Sequence, residues 1–471
     1  MQYVSTRGEA PALGFADAML AGLASDGGLY VPEAWPRVEA QALAAFAGRP
    51  YAEVAVEVIR RFTAGSIAET ELARMANEAY GTFRHPAVAP LIQLGVNNFA
   101  LELFHGPTLA FKDLAMQLLA RLMDHVLAAR GERRTIVVAT SGDTGGAAVE
   151  AFRDRAQVDL VVLYPEGRIS EVQRRMITTA SAANVHALAI EGTFDDCQSI
   201  VKGLFNHAFF RDRVRLSGVN SINWARIVAQ TVYYFTAAVA LGAPHRRIAF
   251  TVPTGNFGDV YAGYVAHKLG LPIDRLVIAT NVNDILVRAL ATGSYELRAV
   301  VQTTSPSMDI QVSSNFERLL FDAYDRRDDA IRAVMAALAQ SRRFTISARA
   351  LAQIRALFSA DRADEDEVAA TIRTVRRETG DLLDPHSAVG VAVAEKEARD
   401  PAVPMVVLAT AHPAKFPAAV EAACGIRPEL PEWLSDLAKR PERITVLPAD
   451  QSAVEGFVLK TSRAAQEGAT A

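Results

Sequence analysis

Cysteine is nearly absent, with only Cys197 and Cys424 in a chain of 471 residues. Two thiols cannot build a disulfide framework or a thiolate metal site, and their scarcity fits a reducing, cytoplasmic setting. No apolar run approaches the roughly 20 residues needed to span a bilayer. The opening Met1-Gln2-Tyr3-Val4-Ser5-Thr6-Arg7 lacks the basic-then-apolar plan of a signal peptide. A basic excess is missing as well. Against 53 Asp and Glu stand 49 Lys and Arg, a net charge of -4, so little is set up to neutralise a nucleic-acid backbone. The 9 histidines are scattered, with no HExxH and no His/Cys cluster, which leaves metal catalysis unsupported. These absences argue against nucleic-acid and membrane partners and leave a metal unsupported.

What remains is an ordinary globular composition, 50% hydrophobic and 22% charged, long enough for two or three domains. Residues 1 to about 95 read as helical after a short extended start. Turn chemistry stands at Ser25-Asp26-Gly27-Gly28 and breakers at Pro32, Pro36 and Pro50. Further on, short β-branched runs at 135–139, 160–164, 248–252, 276–279 and 405–409 alternate with helical stretches. Continuous apolar strands between helices imply strands buried on both faces, hence parallel sheets covered by helices. The expected class is therefore α/β with an additional, mostly helical N-terminal region. From about Phe321 to Thr379 the chain is helical and charged. The run Asp364-Glu365-Asp366-Glu367 reads as a solvated helix start, and the tail from Gln466 to Ala471 as frayed.

Lys112 stands out. It closes Phe104-His105-Gly106-Pro107-Thr108-Leu109-Ala110-Phe111-Lys112-Asp113, ahead of apolar residues at helical spacing (Leu114, Ala115, Leu118, Leu119, Leu122, Met123 and Val126). With Thr108 as a candidate cap and Pro107 marking the turn, Lys112 falls in or just before the first helical turn. The positive end of the helix dipole there favours a neutral amine, which Schiff-base chemistry requires. Taken alone, the same pattern describes a surface lysine snorkelling from an amphipathic helix.

Other loops change that weighting. Thr140-Ser141-Gly142-Asp143-Thr144-Gly145-Gly146 links an apolar run to an alanine-rich helix and makes a nest of backbone N–H groups for an anion. It is neither a P-loop nor a GxGxxG fingerprint, and a plain tight turn explains it about as well. Thr254-Gly255-Asn256-Phe257-Gly258-Asp259 repeats the arrangement and suits a phosphate. Asn220-Ser221-Ile222-Asn223-Trp224-Ala225-Arg226 offers amides, a hydroxyl and a guanidinium able to grip a phosphate or carboxylate. Thr410-Ala411-His412-Pro413-Ala414-Lys415-Phe416 ends a buried strand, where a hydroxyl can meet a heteroaromatic nitrogen. Asp384-Pro385 is explained by capping alone. His105, His386 and His412 read as packing or hydrogen-bonding residues. A lysine for an aldehyde, a glycine nest for a phosphate, a hydroxyl for a ring nitrogen and a second anion site together suit pyridoxal phosphate and an anionic substrate.

At these residues the chain resembles the threonine synthases, pyridoxal-phosphate enzymes of the tryptophan synthase β-like fold (fold type II). The likeness extends to Tyr3-Val4-Ser5-Thr6-Arg7-Gly8, to Ser25-Asp26-Gly27-Gly28-Leu29-Tyr30-Val31-Pro32, and to Ser305-Pro306-Ser307-Met308-Asp309-Ile310 with Ser313-Ser314-Asn315-Phe316-Glu317-Arg318. The resemblance implies three regions: residues 1–95, mostly helical; 96–130 with 235–471, the larger cofactor-binding α/β domain; and 131–234, a smaller α/β domain carrying the substrate-carboxylate loop. It implies conversion of O-phospho-L-homoserine and water to L-threonine and phosphate, by a monomer or weak homodimer. Lys112 would hold the cofactor covalently. Gly255, Asn256, Phe257, Gly258 and Asp259 would cradle its phosphate, Thr410 would face its pyridine nitrogen and Asp143 its phenolic oxygen. Ser141, Gly142 and Thr144 would grip the substrate carboxylate, and Ser221, Asn223 and Arg226 its phosphate. A lyase releasing 2-oxobutyrate and ammonia would use the same lysine and phosphate loop.

Overall fold

The computed structural model describes residues 1–467. Its larger sheet has six strands in the order Phe358–Arg362, Ile273–Thr280, Ile248–Pro253, Met405–Ala409, Asn98–Glu102, Leu91–Gly95. All neighbours run parallel except the last pair, an antiparallel hairpin at the edge. A second, wholly parallel sheet orders Thr445–Pro448, Val185–Glu191, Val158–Pro165, Arg134–Ala139 and Leu216–Ser217.

The unbroken apolar strands are explained by cover on both sides. In the larger sheet Phe250, Val252, Ile278 and Leu408 pack with Val260 and Tyr261, while Ala249, Val277 and Val407 pack with Val389 and Val393. In the smaller sheet Ile136, Val138 and Val162 meet Ala147 and Phe152, and Val137, Val161 and Leu163 meet Ile200, Leu204 and Val458. Burying both faces removes the polar alternation that a half-exposed strand would show. The five strands expected from composition are present, each within a few residues.

Several strands lacked that signal. Val185–Glu191 is alanine-rich, Phe358–Arg362 has no β-branched residue, and Leu91–Gly95 is a half-exposed edge. The region from 321 to 379 is accordingly helical except where Arg343–Thr345 and Phe358–Arg362 interrupt it. Asp364 caps the helix Glu365–Thr379 and forms a reciprocal box with Glu367, so the acidic run is a helix start. We retain the three-region division as a proposal with one amendment: Thr445–Pro448 pairs with Val185–Glu191 and belongs with the smaller sheet. Gln466 and Glu467 close a short helix, and the rest of the expected frayed tail, from residue 468, lies outside the described residues.

The N-terminal helices Tyr51–Thr63 and Glu69–Tyr80 pack on the helices Trp224–Ala240 and Lys112–Arg130. Arg318, fully buried, ties this region to the centre. Its Nε donates to Tyr30 O at 3.0 Å, its Nη2 to Ile222 O at 2.6 Å, and its Nη1 to Asn315 Oδ1. Leucine at Arg318 would leave two buried acceptors, Tyr30 O and Asn315 Oδ1, without this donor, each worth ~1–3 kcal/mol. Arg318→Leu should therefore lower unfolding free energy by roughly 3–5 kcal/mol in denaturant titrations. A midpoint matching the parent protein would refute that anchoring role.

Candidate active site

The functional loops all leave the C-terminal ends of strands, where an α/β sheet offers free backbone groups. The segment before Lys112 is zipped to the loop after Met405–Ala409. Phe111 N donates to Thr410 O at 2.8 Å, His412 N to Leu109 O at 3.0 Å, and Ala110 bridges Ala411. Lys112 is the first residue of the helix Lys112–Arg130. Thr108 is not its cap, contrary to expectation. Phe111 occupies that position, and Thr108 instead donates its backbone N and its hydroxyl to the Asp113 carboxyl, both at 2.7 Å.

Lys112 is buried, with Nζ 3.3 Å from Asp143 Oδ2 and 4.7 Å from the Phe111 ring centre. Burial pushes its pKa down from the usual lysine range. Asp143 opposes that shift, while the charges of Lys415 and Arg226 reinforce it. The snorkelling surface lysine is thereby excluded.

Thr140 shapes the first anion loop, its hydroxyl accepting from Gly142 N and Gly145 N, both at 2.9 Å. Gly142 has φ 132°, and a Cβ there would lie 2.4 Å from Gln173 Cδ, so only glycine fits. The helix Asp143–Phe152 starts next, leaving the amides of Asp143 and Thr144 without intrahelical partners. Among the described residues the hydroxyls of Ser141 and Thr144 have no partner. The Asp143 carboxylate receives Lys415 Nζ at 2.8 Å and Gln173 Nε2 at 2.9 Å on Oδ1, and Lys112 on Oδ2. Burial alone would raise its pKa. The two ammoniums and Gln173 outweigh that and hold it well below the usual carboxylate range.

The second anion loop follows Ile248–Pro253. A Cβ at Gly255 would sit 2.6 Å from Ser307 O, and Phe257 holds a left-handed φ of 65° just before the helix Gly258–Leu269. The first amides of that helix point out of the loop unpaired. The Asp259 side chain is turned away from them. Its Oδ1 accepts from Tyr233 OH and, at 3.3 Å, from Tyr234 OH, and burial pushes its carboxyl up to about 7. Asp259 thus contributes its amide to the loop and its side chain to the Trp224–Ala240 helix.

Arg226, on the first turn of that helix, is 2% exposed. Its Nη1 donates to Val219 O at 3.1 Å, its Nε has no partner, and among the described residues no carboxylate pairs with it. Burial lowers its pKa to about 10. Asn223 corrects the expectation that it faces a ligand. Its Oδ1 caps Ala225 N at 3.0 Å and its Nδ2 donates to Met19 O at 2.8 Å, so its amide is engaged within the chain. Ser221 keeps a free hydroxyl among the described residues, and so does buried Thr410.

Residues without an assigned role hold the loops together. Asn315 Nδ2 donates to Ser221 O at 3.2 Å and Asn256 O at 2.9 Å, and Ser313 Oγ donates to Gly255 O at 2.6 Å. His386, oriented by Asp384 at 2.7 Å, accepts from Ser307 N at 3.3 Å, so the Asp384-Pro385-His386 turn does more than cap a helix. Gln173 and Lys415 grip Asp143 from two further segments. His412 caps Ala414 N at 3.1 Å and His105 pairs with Glu102 at 2.7 Å, the hydrogen-bonding roles expected of both. Lys415 and Lys112 thus meet one charged carboxylate, Arg226 is a further buried cation without a carboxylate of its own, and two helix N-termini add positive potential. That imbalance, an orphaned guanidinium nitrogen and the glycine cradle fit a phosphate-bearing aldehyde together with a second anion.

Three family models match the chain: threonine synthase N terminus over residues 2–80, pyridoxal-phosphate dependent enzyme over 84–363, and threonine synthase, C-terminal, over 387–458. A threonine synthase from Pseudomonas aeruginosa is 54% identical over 459 residues, spanning 97% of this chain and 98% of that protein. The solved structure of PLP-bound threonine synthase from Brucella melitensis aligns with TM-score 0.96 at 62% identity, over 98% of this chain and 100% of that one. For yeast threonine synthase the TM-score is 0.92 at 36% identity, over 98% of both chains. The α/β fold expected from the sequence is the one these structures share.

Asp259 offers a test of the loop's electrostatics. Because its folded pKa of about 7 exceeds that of an unfolded aspartate, its contribution to stability is complete at low pH and declines until pH rises through 7. Asp259→Asn removes that titration and preserves an acceptor for the two tyrosines. Relative to the parent, the variant should gain about 2–3 kcal/mol in unfolding free energy between pH 5 and 8. Parallel pH profiles for the two proteins would contradict the assignment.

Proposed function

This chain belongs to the threonine synthase family, and on that premise we propose how its own residues carry the reaction. The reaction is pyridoxal-phosphate-dependent: O-phospho-L-homoserine loses phosphate from Cγ, water adds at Cβ, and L-threonine and phosphate are released. When bound, pyridoxal phosphate supplies an aldehyde that condenses with an amine and a ring that accepts the electron pair released at Cα.

The reading of the residues rests chiefly on one observation, a buried lysine at a helix start whose surroundings disfavour the ammonium. Lys112 holds the cofactor at rest. Its neutral Nζ, when free, would accept the substrate Cα proton and return one at the end. The free hydroxyls of Ser141 and Thr144, with the first amides of the Asp143–Phe152 helix, bind the substrate carboxylate. Gly142 serves by its backbone conformation, since its amide is already given to Thr140. Asp143, held ionised by Lys415 and Gln173, would face the phenolic oxygen of the ring. The backbone of Gly255, Asn256, Phe257, Gly258 and Asp259 would cradle the cofactor phosphate, and the Thr410 hydroxyl would meet the pyridine nitrogen without bringing a charge. Ser221 and Arg226 hold the substrate phosphate at Cγ, with Asn223 shaping their loop.

Among the described residues no helix is long and apolar enough to cross a membrane. A cytoplasmic location and a monomeric or weakly dimeric state belong to the same proposal.

Product analysis tests it directly. Pyridoxal-phosphate-loaded protein given O-phospho-L-homoserine should yield threonine and phosphate in equal amounts, whereas ammonia and 2-oxobutyrate would favour the lyase reading. Lys112→Ala should lower turnover by roughly 10²–10⁴-fold or more. Arg226→Gln removes charge-assisted contacts to phosphate and should raise KM for O-phospho-L-homoserine about 10–100-fold. Unchanged KM would remove Arg226 from the substrate site.

A further inference from the structure

We propose that Lys415 is a positioning residue for the reactive amine: by gripping one oxygen of Asp143, it keeps that carboxylate from forming a close ion pair with Lys112. The inference rests on Lys112 being the cofactor-binding amine. It assigns a role to a second lysine, which lies in the run 410–416 but has no part in the cofactor reading of that run.

Geometry supplies the argument. Lys415 is completely buried, in the single turn Pro413–Lys415 after the strand Met405–Ala409. Its Nζ has two partners, Asp143 Oδ1 at 2.8 Å and Thr108 O at 2.8 Å. The second bond fixes the ammonium against the very segment that leads into Lys112. Gln173 adds a donor to the same carboxylate oxygen. Asp143 is therefore held by Oδ1, and Lys112 reaches only Oδ2, at 3.3 Å. A buried ammonium with a carboxylate to itself forms a shorter, stronger pair and gives up its proton reluctantly. Sharing the carboxylate prevents that.

The remaining charges around Lys112 do not replace Asp143. Arg226 is a cation, the Asp113 carboxyl is engaged by the amide and hydroxyl of Thr108, and Asp259 turns its Oδ1 to Tyr233 and Tyr234, away from Lys112. The Phe111 ring, 4.7 Å from Nζ, and the Asp259 carboxyl also favour the ammonium, and both are common to every variant compared. Removing the charge of Lys415 thus acts in one direction. It frees Asp143 to close on Lys112 and removes a repulsion, so the Lys112 amine should ionise more readily.

The test is covalent capture of pyridoxal phosphate by the full chain freed of cofactor, followed by visible absorbance and by mass after borohydride fixation, across a pH series. Titrations of pyridoxal phosphate itself are common to every variant and cancel in the comparison. In Lys415→Met the midpoint of the pH profile should rise by a unit or more, slowing capture about tenfold near neutrality. Lys415→Arg, which keeps the charge, should restore the parent midpoint. Adding Asp143→Asn to Lys415→Met should bring the midpoint back down, because the freed carboxylate is what raises it. Should Lys415→Met not fold, Lys415→Gln keeps a donor to Asp143 without the charge and serves the same comparison. A folded, uncharged variant with the parent midpoint overturns the role of Lys415, while Lys112→Ala capturing no cofactor would leave the reading of Lys112 intact. A fixed adduct on Lys112→Ala would overturn both.

Discussion

Taking a carboxylate out of water is unfavourable unless cations and hydrogen-bond donors surround it, and at the centre of this protein that condition is met by placing Asp143 among the Lys415 ammonium, the Gln173 amide and the Lys112 amine. Much else follows from the arrangement. The two lysines must be buried to meet the carboxylate, so the segments carrying them must be rigid. The zipper between residues 109–111 and 410–412 provides that rigidity. Burial that makes Lys112 a poor cation also leaves the centre short of negative charge, and two helix N-termini and Arg226 deepen the deficit. A site built this way is complete only with anions in it.

The surrounding structure acts as a clamp on loops that would otherwise be independent. Asn315 bridges the loop of Ser221 to that of Asn256, Ser313 holds Gly255, and His386 holds the segment whose carbonyl leaves no room for a side chain at Gly255. Arg318 carries this set of restraints outward to Tyr30 and so to the N-terminal region. The N-terminal helices therefore support the site from a distance, through the Trp224–Ala240 helix on which they pack.

How much of this was legible in the sequence depended on whether the cause was local. Strands covered on both faces by helices showed as β-branched runs, and the glycine loops showed because a nest or a tight turn is a property of consecutive residues. Val185–Glu191 and Phe358–Arg362 escaped because sheet position, not intrinsic propensity, makes them strands. Lys415, Gln173 and Asn315 escaped for a related reason: each acts through a partner far away in the chain, and nothing beside it in sequence marks the pairing. Thr108 and Asn223 depart from their expected parts in complementary ways. A cap-like residue turned out to bind a carboxylate, and a ligand-like amide turned out to cap a helix.

The strand Thr445–Pro448 lends its edge to a sheet whose other members lie between residues 134 and 217. Until it arrives, Val185–Glu191 is an open parallel edge with unpaired backbone groups, and the face lined by Leu204 lacks the cover of Val454 and Val458. During synthesis the smaller sheet therefore waits for most of the remaining chain to leave the ribosome. Closing so long a loop makes its completion a late step. In that interval the open edge can pair with a neighbouring copy.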